Sequence, residues 1–345
     1  MEAVDVRGRF VWHELMTRDV SAAKAFYSKL VGWNAQPWAG DPTYTICLAS
    51  PGPTAGIFGI TADFPAEMPA HWVSYIGTRD VDGTVAAAVR AGGSIVKEPQ
   101  DLQGAGRFAV LKDPQGAVFA ILDPENSHPD EAVAPLGTFS WHELATSDHE
   151  AAFAFYSSLF GWEALQRMDM GEAGTYLIFG WNGVQRGGIY NKPADMPAPP
   201  NWLPYARVPD ADAGYKTATG SGARELMGPM TVPGGHRIAG VVDPTGAAFA
   251  VVSMPEQEQA ESAPATAEVA PKSRAKAKAK TRVKSKPNAK AKGKTRSAAS
   301  RKKTTRKPAA RRKVAGKAAK KAAKKSAPKK KKSAAKKKVA TRRKK

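Results

Sequence analysis

Hydrophobic residues recur with two different periods along the first 254 residues of the chain. Residues 10–19 and 139–148 are predicted to be strands, and each is followed by apolar residues at helical spacing that stop at Gly32 or Gly161. Short stretches broken by Gly and Pro follow and predict further strands. The series begins again at Trp72 and at Trp202. The pattern therefore predicts four units of strand, helix and three strands.

These units form two copies of one longer pattern, offset by 129 residues at the start. Phe10-Val-Trp-His-Glu-Leu-Met-Thr-Arg-Asp19 returns as Phe139-Ser-Trp-His-Glu-Leu-Ala-Thr-Ser-Asp148. Near the end of each copy, Asp113-Pro-Gln-Gly returns as Asp243-Pro-Thr-Gly. A self-similarity of this length indicates duplication of a whole domain. The predicted fold class is α+β, with two tandem domains that are each a pair of βαβββ units.

The copies set the domain boundaries. Domain 1 is predicted at residues 1–127 and domain 2 at 136–254, joined by residues 127–135, and each copy is long enough for a hydrophobic core of its own. The helices of the second series are expected at about 81–91 and 211–221. Residues 255–270 are predicted to be a polar linker, and residues 271–345 form a third segment.

Charge separates that third segment from the rest. Residues 1–270 carry 31 acidic and 17 basic side chains, whereas residues 271–345 carry 36 basic ones, no acidic one and no aromatic. Such a segment buries too little apolar surface to offset its chain entropy, so disorder is expected when it is unbound. A solubilising role is the simpler reading of a charge run. The length of the basic segment favours DNA or another polyanion as its partner, bound without sequence preference.

The tail also resembles the Lys/Ala/Pro-rich tails of linker histones and bacterial histone-like proteins, in composition only. The resemblance rests on runs such as Lys317-Ala-Ala-Lys-Lys-Ala-Ala-Lys-Lys325. It implies nucleic-acid contacts from these runs. The lysines selected for this role are Lys320, Lys321, Lys324, Lys325, Lys329, Lys330, Lys331 and Lys332.

The repeated part resembles the vicinal oxygen chelate superfamily, which includes glyoxalase I, extradiol dioxygenases and bleomycin-binding proteins. The residues that carry the likeness are Thr-x-Asp after the first strand, Phe-Tyr on its helix, Leu-x-Gly-Trp at the helix end, and Asp-Pro-x-Gly before the last strand. These motifs are similar to those of tandem glyoxalase-like proteins of actinobacteria. The resemblance implies that each domain curls its sheet around a cup that holds the functional site.

Metal-dependent members of that superfamily place ligands at three positions in each pair of units. In this sequence those positions hold residues without a metal donor: Trp12, Val73 and Ala120 in copy one, and Trp141, Leu203 and Ala250 in copy two. The expectation is therefore a protein without a cofactor at the usual place, with a divalent metal left open elsewhere. His71 is a candidate displaced ligand in copy one, but copy two has Asn201 there.

Glu14 and Glu143 are the candidate catalytic residues. If Trp12 faces the cup, strand alternation places Glu14 on the same face and His13 under the helix, where a hydrogen-bonded core histidine is the usual outcome. A carboxyl group inside an apolar cup has a raised pKa unless it is paired, which suits a general acid or base. A buried ion pair is the alternative. The predicted pocket residues are Trp12, Tyr75, Arg107, Trp141, Tyr205 and Arg237, the two arginines as binders of a substrate carboxylate or partners of the glutamates. The alternative for the four aromatic residues is that they fill the cups and leave no pocket.

The preferred functional hypothesis is a small-molecule-binding protein held on nucleic acid by its tail, in the cytoplasm and associated with the nucleoid. One alternative is a lyase or isomerase that uses Glu14 or Glu143, or a dioxygenase with a relocated metal. A further alternative is a DNA-bridging scaffold, and a homodimer is left open. No membrane partner is expected, because no apolar run reaches about 18 residues. Cys47 is the single cysteine, so no disulfide is expected.

Overall fold

A computed structural model describes residues 5–127 and 133–255 of the chain. The predicted tail at 271–345, nearly all of the polar linker and part of the interdomain linker lie outside these described residues. The elements of copy one are β1 (Phe10–Thr17), α1 (Val20–Val31), β2 (Asn34–Pro37), β3 (Thr45–Ala49), β4 (Gly52–Gly59), β5 (His71–Gly77), α2 (Val81–Arg90), β6 (Ser94–Leu102), β7 (Gly106–Lys112) and β8 (Val118–Pro124).

Copy two repeats this order, with a short 3-10 helix at Gly171–Ala173. Its elements are β9 (Phe139–Thr146), α3 (His149–Phe160), β10 (Glu163–Asp169), β11 (Thr175–Trp181), β12 (Val184–Asn191), β13 (Asn201–Arg207), α4 (Ala211–Gly220), β14 (Arg224–Thr231), β15 (Arg237–Val242) and β16 (Ala248–Ser253). Both copies are thus pairs of βαβββ units, and the predicted fold class is confirmed.

The first helix of each copy begins and ends where the sequence pattern predicts. The Asp19 carboxylate accepts a hydrogen bond from the Ala22 backbone N–H at 2.9 Å, and Asp148 does the same for Ala151 at 3.1 Å. Gly32 ends α1 in the left-handed region with φ 75°, which favours glycine because a side chain there is strained. Gly161 ends α3 in the same conformation.

Each copy forms one eight-stranded mixed sheet. The strand order is β2-β3-β4-β1-β5-β8-β7-β6 in copy one, and copy two has the equivalent order. The two central strands, β1 and β5, are antiparallel and come from different βαβββ units. The first strand of each unit therefore lies at the middle of its sheet, where its side chains reach one face covered by helices and one opposite face, which we call the cup.

The helix-covered faces of the two sheets pack against each other, so the two main hydrophobic cores are built from both copies. In one core, Phe26, Leu30 and Trp33 of copy one pack with Phe249 and Val251 of copy two. The other core is formed in the same way, mainly from the second unit of copy one and the first unit of copy two, with Trp202 of β13 added. The expectation that each copy has its own main core was wrong, since both helix faces of a copy are covered by its sister copy.

Two histidines lie where the copies meet. His13 and His142 are 4% and 5% exposed, and their Nε2 atoms are 2.7 Å apart. His142 Nδ1 is 3.2 Å from the carbonyl oxygen of Arg186, which can only accept, so His142 carries its proton on Nδ1 and accepts at Nε2 from His13. The prediction that His13 is a hydrogen-bonded core residue is confirmed, with the histidine of the other copy as its partner.

Candidate ligand-binding cups

The cup of copy one is lined by alternate residues of its central strands. Trp12 and Met16 of β1 pack there with Val73 and Tyr75 of β5, while Leu15 of the same β1 strand lies in a core under the helices. Ala120 of β8 and Phe108 of β7 complete the apolar lining. In copy two the equivalent lining is Trp141, Leu203, Tyr205, Met227, Ile238, Ala250 and Val252. The structure thus places the four aromatic pocket candidates, Trp12, Tyr75, Trp141 and Tyr205, on cup faces.

Glu14 lies in the floor of the first cup and is surrounded by aromatic hydroxyl groups. The Tyr75 hydroxyl donates to Glu14 Oε1 at 3.3 Å. Trp12 Nε1 donates to the Tyr44 hydroxyl at 3.1 Å, which leaves the hydroxyl proton of Tyr44 for the Glu14 carboxylate. The pKa of Glu14 is raised, because burial outweighs these hydrogen bonds and the positive charge of Lys97.

The second cup has the same arrangement around Glu143. The Tyr176 hydroxyl accepts from Trp141 Nε1 at 3.0 Å and donates to Glu143 Oε2 at 2.9 Å. Burial raises the pKa of Glu143, against the opposing effects of Tyr176 and Tyr205. Burial and the neighbouring carboxylate raise the pKa of Tyr176 well above its usual range, so this hydroxyl keeps its proton at neutral pH. Each cup therefore contains a desolvated carboxyl group held by neutral hydroxyl groups.

Sequence reasoning missed Tyr44 and Tyr176, which occupy equivalent places beside the glutamates. Each ring lies over a glycine of the neighbouring strand, Gly56 or Gly188, and a Cβ at either glycine would collide with it. Gly56 pairs with Glu14 and Gly188 with Glu143 in the strand register. A Tyr-x-Ile pattern followed by this glycine recurs in both copies. It was obscured because the segments before it differ in length.

Arg107 and Arg237 are not in the cups, so their prediction as pocket residues was wrong. Arg107 lies on the helix-covered face of β7 and its guanidinium donates to the Asp82 carboxylate of α2 at 2.8 and 2.9 Å. Arg237 binds Asp212 of α4 in the same way, at 2.8 Å for Nη2. The sequence alone did not show on which face of the sheet these side chains of β7 and β15 lie.

The three side chains expected to lack a metal donor in copy one lie together in the first cup. Trp12, Val73 and Ala120 lie in one cluster and present an indole, an isopropyl and a methyl group, none of which is a donor. Among the described residues, no three His, Cys, Asp or Glu side chains are close enough together to hold one. His71 Nδ1 donates to the Pro69 carbonyl oxygen at 2.9 Å, and Asn201 makes the equivalent bond to Pro199 at 2.8 Å. These two residues therefore share a structural role.

Two open grooves lie elsewhere on the surface of copy one. The larger, of about 560 Å³, runs between α2 and β6 and is lined by Asp82, Arg107 and exposed apolar groups. The second, of about 470 Å³, lies at the turn between β6 and β7. Neither groove is lined by the cup residues.

The lysines predicted to bind nucleic acid, including Lys320 and Lys332, lie outside the described residues. No helix in the described part of the chain is long and apolar enough to cross a membrane.

Comparison with known proteins agrees with this architecture. Residues 12–122 match a family model described as a glyoxalase-like domain, and residues 138–251 match that of the glyoxalase/bleomycin resistance protein/dioxygenase superfamily. The putative glyoxylase CFP32 of Mycobacterium tuberculosis (strain CDC 1551 / Oshkosh) is 32% identical over 252 residues, which cover 72% of this chain and 95% of that protein. The anthracycline biosynthesis protein DnrV of Streptomyces peucetius is 31% identical over 265 residues, covering 72% of this chain and 94% of that protein.

Solved structures share the fold at low sequence identity. The Mn(II)-bound glyoxalase from Novosphingobium aromaticivorans has a TM-score of 0.51 at 18% identity, covering 72% of this chain and 82% of that one. The 2,3-dioxygenase LapB from Pseudomonas sp. KL28 has a TM-score of 0.53 at 10% identity, covering 73% and 93%. At these identities the likeness extends to the fold alone. Two matched domain models in tandem and relatives similar along nearly their whole length show that the chain belongs to the glyoxalase/bleomycin resistance/dioxygenase superfamily.

Proposed function

We propose that this protein binds a small planar molecule in a cup and is held on nucleic acid by residues 271–345. The observation that carries the first part is the buried Glu143, which is held by Tyr176 beneath an aromatic lining. Trp141 and Tyr190 flank this group and offer ring faces for stacking. A flat ligand stacked on these rings would have its orientation fixed by the hydroxyl and carboxyl groups below it.

A relative supports this class of ligand. DnrV is named for anthracycline biosynthesis, and anthracyclines are fused planar ring systems with hydroxyl and carbonyl oxygens. Rings of this kind match the aromatic lining of the cup. Their neutral oxygens can accept hydrogen bonds from the hydroxyl groups of Tyr176 and Tyr205, which keep their protons because their pKa values are raised.

The second part of the proposal rests on charge. Residues 271–345 carry 36 basic side chains and none that is acidic or aromatic. Neutralising about 6–10 phosphates already makes affinity fall by about 10³–10⁵ between 50 and 200 mM salt, and this segment offers more charges than that. Without aromatic side chains to stack on bases, it would bind nucleic acid through phosphates and without sequence preference.

An enzyme is the second candidate, favoured by the raised pKa of both glutamates. A carboxyl group whose pKa is raised is a stronger base when ionised and can exchange a proton with a bound substrate, as in a lyase or isomerase. Glu143 would be the acid or base, and Tyr176 would orient it. A dioxygenase has less support, since the described residues provide no cluster of metal donors.

The two candidates are separated by titrating the full-length protein with 2-naphthol, a planar aromatic with one neutral hydroxyl, and following tryptophan fluorescence. The binding proposal predicts saturable quenching, with the probe recovered unchanged. A purified protein that shows no saturable quenching up to millimolar probe would contradict the proposal. A probe or related phenol that is converted by wild type but not by Glu143→Gln would favour the enzyme.

A further inference from the structure

The two cups differ at their mouths, although their floors are alike. In copy one the Trp38 ring packs against Tyr44, with ring centroids 6.0 Å apart. It also reaches the turn between β6 and β7, where a methyl group added at Gly104 would meet it at 3.6 Å. Trp38 thus bridges the two edges of the sheet across cup one.

Copy two has no tryptophan at this position. Trp38 pairs with Tyr44 through its backbone, and the residue that pairs with the equivalent Tyr176 is Met168. Methionine is narrower than tryptophan and flexible, so it covers less of the opening and can move aside. The second cup therefore lacks the aromatic bridge that crosses the first.

The floors also differ in one hydrogen bond. Tyr75 donates to Glu14 in cup one, whereas the hydroxyl of the equivalent Tyr205 is buried and forms no hydrogen bond of normal length and angle. Tyr205 is 2% exposed. Tyr205 remains near enough to Glu143 to oppose the rise in the pKa of that carboxyl group, but its hydroxyl is poorly satisfied, and a ligand oxygen can complete its hydrogen bonding.

Two further substitutions change the walls of the cups. Lys97 stands over the Phe108 ring at 5.1 Å in cup one, and the register places Met227 at the equivalent position of cup two. Where copy one has Phe58, copy two has Tyr190, whose ring is stacked on Tyr176 at 6.1 Å. Compared with the first cup, the second cup has an apolar side chain in place of a cation, and it has an additional aromatic hydroxyl group.

We propose that the second cup is the ligand site, and that Tyr205 is the polar anchor for a neutral planar aromatic molecule bearing a hydroxyl or carbonyl oxygen. This assignment rests on the binding function proposed above and adds which copy binds and through which group. Cup one is a structural counterpart, crossed by Trp38 and with its tyrosine already bonded to Glu14. A neutral ligand is preferred, because an anion would approach the carboxyl group of Glu143 with Met227 in place of a lysine.

The test compares 2-naphthol with naphthalene, which lacks the hydroxyl, in full-length wild type and in matched Tyr→Phe variants of the two cups. Wild type is expected to bind one 2-naphthol per chain. Tyr205→Phe should weaken 2-naphthol roughly 2- to 10-fold, the value of one neutral hydrogen bond, and leave naphthalene unchanged. Tyr75→Phe should change neither. Met168→Trp, which adds the bridge to cup two, should weaken both probes.

Other results would overturn the inference in distinguishable ways. Two equal sites per chain, equal losses from Tyr75→Phe and Tyr205→Phe, or no loss from Tyr205→Phe would each refute the assignment to Tyr205 of cup two and leave the binding function intact. The same loss of naphthalene as of 2-naphthol in Tyr205→Phe would refute the anchoring role of the hydroxyl. No saturable binding of either probe to wild type would contradict the binding function itself, and the inference with it.

Discussion

The hydroxyl of Tyr27 in the first copy donates a 2.7 Å hydrogen bond to the carboxylate of Asp243 in the second. Tyr156 makes the reciprocal bond to Asp113 at 3.0 Å. Both aspartates also accept backbone N–H groups within their own Asp-Pro-x-Gly turns. Two motifs that occur in both copies, the Phe-Tyr pair and the Asp-Pro-x-Gly turn, are thus joined across the copies.

Replacing Tyr27 by Phe should destabilise the protein by about 1.5–3 kcal/mol, because it removes a buried hydrogen bond to a charged acceptor. Tyr156→Phe should have a similar effect. Urea unfolding followed by far-UV circular dichroism measures the loss. Tyr215→Phe, which removes an exposed hydroxyl bonded to Glu225, is the control and should change stability little. An equal loss of unfolding free energy in all three variants would show that the hydrogen bonds between the copies stabilise the protein no more than an exposed one does.

Separately expressed residues 1–130 and 132–254 should not fold alone. Each would expose half of both shared cores, including Phe26, Trp33, Phe155 and Trp162, and burial of each large apolar side chain contributes about 1.5–3 kcal/mol. Mixing the two fragments should restore dispersed amide signals in an NMR spectrum. Native-like spectra from either fragment alone would contradict the shared-core description.

Acid should destabilise the protein through the histidine pair. Burial lowers the pKa of His13 and lowers that of His142 to about 3, so both bind protons more weakly folded than unfolded. Their stabilising contribution is complete above the unfolded pKa of about 6.5 and is lost as pH falls toward their lowered folded pKa values. Each proton bound only by the unfolded state costs about 1.4 kcal/mol per pH unit.

The raised pKa values of Glu14, Glu143 and Asp113 act in the opposite direction, so wild type must be compared with a variant. His142→Gln retains these carboxyl groups and removes one of the two histidines. Its unfolding free energy should therefore fall less steeply than that of wild type between pH 6.5 and 4. Parallel curves for the two proteins would refute the assignment.

The fold was predictable because its signals are local and occur twice. The Asp N-caps and the C-terminal glycines fix the first helix of each copy, and alternation along β1 correctly placed His13 under the helices. Packing between copies was not predictable in this way. An apolar helix face such as that of α1 fits any apolar surface, and nothing local shows that it meets β16 and α4 of the other copy.

Prediction of the site was less complete for related reasons. Arg107 was expected in the cup because one arginine does not show which alternate residues of β7 face the cup. A shift of one residue moves a side chain to the opposite face. Tyr44 and Tyr176 were missed because the β2–β3 and β10–β11 connections differ in length. The difference between Tyr75 and Tyr205 lies in hydrogen-bond geometry, which a repeated sequence cannot reveal.

Removal of residues 255–345 should abolish binding to DNA at about 0.15 M salt, because the remaining chain is acidic and phosphate repels it. The full-length protein should bind with a steep salt dependence and without sequence preference. Fluorescence anisotropy with two duplexes of unrelated sequence measures both properties. Retention of DNA by the truncated protein at this salt concentration would refute the proposed role of residues 271–345.

The position of the ligand can be seen in a crystal structure of the full-length protein grown with 2-naphthol. We expect one ring in the second cup, against Trp141 and Tyr190, with its oxygen at hydrogen-bonding distance from the Tyr205 hydroxyl. A ring found only in the open groove beside Asp82 and Arg107, or no ring in the second cup at saturating probe, would contradict this placement.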